Sequence, residues 1–319
     1  MRLLTPLKTL SRLLTPTAKI IDGKKISADI QNGIKEEING WVAAGHKRPA
    51  LRAILVGDDP ASCTYVNKKM IASREVGIDS DTVRLPSTIS QEDLVKKIEE
   101  LNNDNNIDGI LIQLPVPDHI NEREICNAVH VDKDVDGFHV TNIGKLVANQ
   151  DTFIPATSLA VIELIRIIGI DTFGKRAVVC GRSKNVGLPI FQMLHADYRN
   201  ELPGLEATAI MCHRNTKPED LVMYCQSADI IITATGVPGL IKPHMVKEGA
   251  CIIDVGLTRI TTPEGKSKLV GDADYEGCLA RAGYITPAPG GVGPVTVAML
   301  MKNTFKACKN FDRQRSNQK

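Results

Sequence analysis

Apolar positions along this chain follow two alternating rhythms. Ile26, Ile30, Ile34, Ile38 and Trp41 return at helical spacing, so the first element is an amphipathic helix. Leu51 to Val56 is apolar apart from Arg52 and stops at Gly57, which predicts a buried strand. A helix across Tyr65 and Lys69 follows and ends near Gly77. Thr82 to Leu85 is a short second strand. Ser90, with Asp93 three residues later, resembles a capping box opening a helix through Leu101. Ile110 to Leu114 is a third strand, stopped by Pro115 and Pro117. Strands alternating with helices predict a mostly parallel sheet covered on both faces.

The alternation resumes after Pro155. Thr157 is placed to cap a helix through Ile168. Strands are expected at Ala177–Cys180, Ala207–Cys212, Asp229–Ala234 and Cys251–Val255, with helices at Val186–Leu194 and Pro218–Cys225. This is a doubly wound pattern, in which ligands bind beyond the carboxyl ends of the strands. Those ends carry Gly181-Arg182-Ser183, His213-Arg214, Thr235-Gly236 and Gly256-Leu257. An apolar helix is expected from Val297.

The length, 319 residues, suits two ordinary domains. A hydrophobic content of 43% with 24% charged residues is that of a soluble globular protein. The net charge of +2 argues against a dedicated nucleic-acid surface, and no apolar run is long enough to span a membrane. The eight cysteines are scattered without a metal-binding spacing and read as reduced core thiols. Residues 1–18 differ from the rest: Arg2, Lys8, Arg12 and six Leu, with no acidic residue before Asp22. That is the composition of a mitochondrial presequence, and the matrix is the expected compartment.

The candidate chemistry falls in three places. Tyr65 and Lys69, four residues apart on a helix, project from one face. Gln113 closes an apolar run and Asp136 lies in the loop Lys133-Asp134-Val135-Asp136-Gly137. A ring, an amine, an amide and a carboxylate on successive elements suit a polar heterocycle. A lysine withdrawn from water can exchange protons near neutral pH. Second, Gly181 to Pro189 follows a strand and opens a helix, offering free N–H groups to an anion. It departs from the usual dinucleotide fingerprint, since Ser183 and Val186 replace two glycines. Arg214 stands where an acidic ribose ligand is usual, so Arg182 and Arg214 read either as a dianion site, such as one for the 2′-phosphate of NADP, or as solvated loop arginines. Third, Pro287 to Pro294 is dense in glycine and proline, as a shaped binding loop would be.

Together these segments resemble the methylenetetrahydrofolate dehydrogenase/methenyltetrahydrofolate cyclohydrolase family, from about Ile20 to Lys309. The resemblance rests on Tyr65-x-x-x-Lys69, Gly109 to Pro115, Asp134 to Phe138, Gly181 to Pro189 and Pro289 to Pro294. It implies a folate-binding catalytic domain of three-layer α/β type (19–155 plus 287–313) and a Rossmann-like NAD(P)-binding domain (156–286), with the folate cleft between them. It implies hydride transfer from 5,10-methylenetetrahydrofolate to NAD or NADP, then hydrolysis of the methenyl product. Lys69 would be the acid/base group, Gln113 its partner, Tyr65 the stacking ring and Asp136 the pterin ligand. Ile112, Leu114, Pro289, Gly290, Gly291, Val292, Gly293 and Val297 would line the substrate site. Gly181, Arg182, Ser183, Val186, Gly187, Arg214, Thr235, Gly236, Gly256 and Leu257 would hold the dinucleotide. A homodimer is implied by the resemblance alone.

Arg214 and Pro155-Ala156-Thr157 resemble the mitochondrial NAD-preferring branch. There, inorganic phosphate on two arginines with Mg²⁺ nearby fills the place of the 2′-phosphate. Arg182 and Arg214 match those arginines, while Asn149 and Glu206 stand where that branch has aspartates. A dehydrogenase without cyclohydrolase activity, and a non-catalytic dinucleotide-binding regulator, are the competing readings. Intact Lys69 and Gln113 oppose the first, and the intact Tyr65, Lys69 and Asp136 set opposes the second.

Overall fold

Two parallel sheets organise the chain, and the computed structural model describes residues 18–316 except 200, 203 and 264. All of the leader-like segment but Ala18 lies outside the described residues. A short strand β1 (Lys19–Ile20) leads into α1 (Gly23–Ala43). Then come β2 (Ala50–Val56), α2 (Pro60–Glu75), β3 (Asp79–Leu85), α3 (Gln91–Asn103) and β4 (Gly109–Ile112), followed by α4 (Glu122–Ala128) and α5 (Val140–Val147). The second alternation runs α6 (Ala156–Ile167), β5 (Arg176–Cys180), α7 (Gly187–His195), β6 (Thr208–Cys212), α8 (Pro218–Ser227), β7 (Ile230–Thr233) and β8 (Cys251–Asp254). A hairpin, β9 (Thr258–Thr261) with β10 (Ser267–Val270), precedes α9 (Tyr275–Cys278), β11 (Tyr284–Ile285) and the long α10 (Val292–Ser316).

The first sheet has the order β3-β2-β4, and the second β1-β11-β8-β7-β5-β6. Every pairing within these two sheets is parallel. Strands β7 and β8 are buried at every residue, which is why they read as continuous apolar runs rather than alternating ones. The two sheets share one core. Leu51 and Leu55 of β2, Val161 and Leu164 of α6, Val179 of β5, and Met299 and Leu300 of α10 belong to a single buried cluster. All eight cysteines are free, and seven are buried. Among the described residues no helix is long and apolar enough to cross a membrane.

Ser90 caps α3 as expected, its hydroxyl accepting from Asp93 N–H at 3.1 Å. Four details differ from expectation. Strand β1, placed by the expected boundary in the first domain, pairs instead with β11 in the second sheet. Two residues are too few for periodicity to reveal a strand. Thr157 lies inside α6, whose cap position is Pro155, with no side-chain cap bond. Strand β4 ends at Ile112, leaving Gln113 and Leu114 just beyond its carboxyl end. Helix α10 begins at Val292, five residues before Val297, because Gly293 and Pro294 are tolerated in a first turn whose N–H groups need no partner.

Helix α10 also braces the Asp136 loop. Asn303 is buried, and its amide donates to Val135 O at 2.9 Å and Ile154 O at 3.0 Å. Asn303→Leu keeps the bulk but strands both carbonyls, at roughly 1–3 kcal/mol each. Chemical denaturation should show a loss of that order; an unchanged midpoint would mean that water replaces the amide.

Candidate active site

Helix α2 starts cleanly. Asp59 accepts Ser62 N–H at 2.7 Å, and Pro60 occupies the first turn. That start fixes the helix phase, so Tyr65 and Lys69 share the face turned toward the end of β4. The Lys69 amine lies 5.7 Å from the Tyr65 ring centroid and donates to Gln113 Oε1 at 3.2 Å. Gln113 cannot rotate freely, because its Nε2 donates to Leu114 O at 2.6 Å. Its oxygen is therefore the end presented to the lysine.

Both charged groups of the site are largely buried. Burial holds the Lys69 amine below the usual lysine range, and Asp136 partly offsets this. Burial pushes Asp136 up to about 7, opposed by Lys69 and reinforced by Asp134. The Tyr65 phenol is also raised by burial. Asp134 does not face the cleft: it accepts from Phe138 N–H, His139 N–H and Asn142 Nδ2, fixing the loop that presents Asp136.

These groups line a cavity of about 370 Å³ between the two sheets. Tyr65, Lys69, Ile112, Gln113, Leu114 and Asp136 form one wall, with Val292 and Gly293 beside them. The opposite wall holds Val186, Asn185, Val255, Ala156 and Thr157. Phe138 and Thr296 also line it; neither these two nor Val255 and Thr157 are expected in the cleft from sequence, where Thr157 reads as a helix cap and Phe138 only as the end of the Asp134–Phe138 motif. Only their place at strand or helix ends could have signalled them. Pro289, Gly290 and Gly291 lie on the loop that precedes α10. Val297 packs against the shared core.

On the cofactor side, Gly181 has φ +117, and a Cβ there would lie 2.3 Å from Ala234 O. A Cβ on Gly187 would lie 2.2 Å from Gly181 O, so only glycines allow this turn. Ser183 Oγ accepts Gly187 N–H at 3.2 Å, closing the turn at the start of α7. Thr235-Gly236 follow β7 and Gly256-Leu257 follow β8, so the selected loops gather at the carboxyl end of one sheet. Cys180 of β5 is the register partner of Cys212 of β6. Arg182 and Arg214 each stand two residues past that pair, and both are exposed.

Asn149 and Glu206 are not brought to those arginines. Glu206 precedes β6 and Arg214 follows it, so five strand residues at roughly 3.3 Å each lie between them. Asn149 closes α5 with φ +56: its N–H bonds Leu146 O, and Gln150 N–H bonds Lys145 O. This is the left-handed cap that asparagine tolerates. Its Nδ2 donates to Asp197 O, while its buried Oδ1 has no partner. Glu206 Oε1 accepts Tyr198 N–H. Among the described residues no group of three or more His, Cys, Asp or Glu could hold a metal ion.

The raised Asp136 carboxyl has a consequence for stability. Its folded value, about 7, lies above the ordinary 3.8, so stability is lost as pH rises toward 7 and the buried carboxylate forms. Asp136→Asn should therefore melt above the parent at pH 8, with the gap closing toward pH 4. A gap that widens on acidification would contradict the burial argument.

Two family models match the chain. Residues 21–136 match the tetrahydrofolate dehydrogenase/cyclohydrolase catalytic domain, and residues 155–312 the NAD(P)-binding domain of the same family. A Gallus gallus relative, a mitochondrial bifunctional methylenetetrahydrofolate dehydrogenase/cyclohydrolase, is 53% identical over 92% of this chain and 88% of its own length. A Drosophila melanogaster relative of the same description is 53% identical over 96% of this chain and 99% of its own. The solved 5,10-methylenetetrahydrofolate dehydrogenase of the silkworm Bombyx mori superposes with a TM-score of 0.88, at 53% identity over 92% of this chain and 98% of that one.

Proposed function

The chain belongs to the tetrahydrofolate dehydrogenase/cyclohydrolase family, and we infer that it oxidises 5,10-methylenetetrahydrofolate with NAD or NADP and hydrolyses the methenyl product to 10-formyltetrahydrofolate in mitochondria. The observation that carries this reading is the hydrogen bond from the buried Lys69 amine to Gln113, in the cavity that Asp136 also lines.

The residues divide the work by chemistry. Asp136, once ionised, accepts hydrogen bonds from the donor-rich edge of the pterin, which favours the carboxylate over the neutral acid. Tyr65 offers a ring face against the folate. That pose points the one-carbon unit at the wall of Val186, Val255 and Thr157, on the cofactor side of the cleft. A dinucleotide fits that side, where the Gly181–Gly187 turn leaves backbone uncovered and α7 presents its N-terminus. When bound, the nicotinamide accepts the hydride. Lys69, whose preference for the charged form burial weakens, takes a proton from the water that adds to the methenyl carbon and returns it as the ring opens. Gln113 keeps the amine aimed at that carbon.

Arg182 and Arg214 support a dianion site beside the adenosine ribose, filled by the 2′-phosphate of NADP or by inorganic phosphate with NAD. Asn149 and Glu206 do not fit a magnesium ion bridging to that phosphate, so nothing in this mechanism depends on one. The homodimer stays a reading by resemblance, tested by light scattering at micromolar concentration.

Lys69→Met retains the stem but cannot carry a proton. Cyclohydrolase turnover should fall by about 10²–10⁴-fold. Full turnover in this variant would remove the lysine from the mechanism. For the cofactor, added phosphate should raise NAD-dependent rates, leave or inhibit NADP-dependent ones, and lose its effect in Arg214→Ser. NAD rates indifferent to phosphate, with tighter NADP binding, would assign the arginines to the 2′-phosphate instead.

A further inference from the structure

A buried acidic pair lies beneath the cofactor side of the cleft. Asp254 ends β8 and Asp272 follows β10; both are almost fully buried. Asp254 Oδ1 accepts Gly256 N–H at 2.9 Å and Asp272 N–H at 3.1 Å, and its Oδ2 accepts Ala273 N–H at 2.8 Å. Asp272 is used on one side only. Its Oδ2 accepts Thr233 Oγ1 at 3.0 Å, Thr235 N–H at 2.6 Å, Thr235 Oγ1 at 2.8 Å and Gly236 N–H at 3.2 Å. Its Oδ1 is buried and has no hydrogen-bond partner. That oxygen abuts Gly256, where a Cβ would lie 2.1 Å from it.

Four donors converging on one oxygen leave the chain from Thr233 to Gly236 little choice of path. The second oxygen, pressed against Gly256, sets the spacing to the next loop. A pair serving only to fill the core would not leave a buried polar oxygen unpaired, since apolar groups of the same shape would fill the space without that cost. The arrangement is accounted for if the loop geometry itself matters. On the reading given above, in which Thr235-Gly236 and Gly256-Leu257 face the dinucleotide, we propose that Asp272 is the positioning residue that holds both loops and thereby sets dinucleotide affinity. Tyr65, Lys69, Gln113 and Asp136 are carried by elements of the other sheet, and none of them is hydrogen-bonded to Asp272.

The test uses the full-length enzyme with two assays. One is the KM for NAD in the dehydrogenase reaction; the other is hydrolysis of the methenyl substrate without dinucleotide. Asp272→Asn keeps the shape and removes the charge. The KM for NAD should rise about tenfold, the loss expected for a charge-assisted hydrogen bond, with cyclohydrolase turnover within about twofold of the parent. Thr233→Val removes one donor beneath the loop and should raise the KM by a smaller factor, while Thr233→Ser should restore it. This second pair decides the matter if Asp272→Asn does not fold. An unchanged KM for NAD would overturn the proposal. So would a parallel fall of both activities with a lowered melting temperature, which marks a purely structural role. Leu257→Glu separates the two readings: Leu257 is exposed and outside the acidic network, and a carboxylate there should repel the dinucleotide phosphates. If Leu257→Glu raises the KM and Asp272→Asn does not, the positioning role alone fails. If neither raises it, the assignment of these loops to the dinucleotide fails as well.

Discussion

Burying the Lys69 amine is the constraint around which this site is built. Withdrawing an ammonium from water costs several kcal/mol unless it is paired or neutralised. The fold does neither completely. It offers one neutral acceptor, Gln113 Oε1, and one carboxylate, Asp136, itself buried enough to titrate at about 7. Burial is the larger influence on both groups, and their mutual attraction the smaller. The result differs from a tight ion pair, in which both charges would be locked. Here burial weakens the amine's hold on its proton and brings the Asp136 carboxyl to about 7, a balance suited to acid/base chemistry near neutral pH.

Such a site survives only on a stiff frame. The Gln113 amide is pinned to Leu114 O, the Asp136 loop is pinned by Asp134 from within, and Asn303 of α10 braces it from behind. Helices α6 and α10 lie in the one core that both sheets share, so the two walls of the cleft cannot drift apart without disturbing close-packed side chains. Parallel pairing supplies the rest, because it brings the carboxyl ends of the strands in each sheet to one side.

Much of this was legible in the sequence, for definite reasons. Strands β5, β7 and β8 are apolar at nearly every position because both faces are covered, and Tyr65 and Lys69 sit one helical turn apart. The residues that escaped notice act through contacts distant in sequence. Asn303 meets Val135 across 168 positions, and nothing in its own neighbourhood announces that. Asp272 reads as an ordinary loop carboxylate until the donors of Thr233, Thr235 and Gly236 are seen on it. Thr157 has the composition of a helix cap, yet the constraint on the residue before Pro155 and the Pro155 backbone itself set the start of α6, which frees Thr157 to line the cleft. Local chemistry reveals which side chains can work; only topology reveals which are held still.

The same topology explains how two reactions share one cleft yet stay separable. On the function proposed above, hydrolysis would use the wall made by α2 and the end of β4, and hydride transfer that wall together with the loops after β5, β7 and β8. The loops after β7 and β8 are held by the acidic pair of Asp254 and Asp272, which makes no hydrogen bond to Lys69, Gln113 or Asp136. Cofactor preference can shift by altering exposed residues such as Arg182 and Arg214 while the buried amine keeps its surroundings. That asymmetry follows from placing the buried amine beside the smaller sheet and the exposed arginines Arg182 and Arg214 at the end of the larger one.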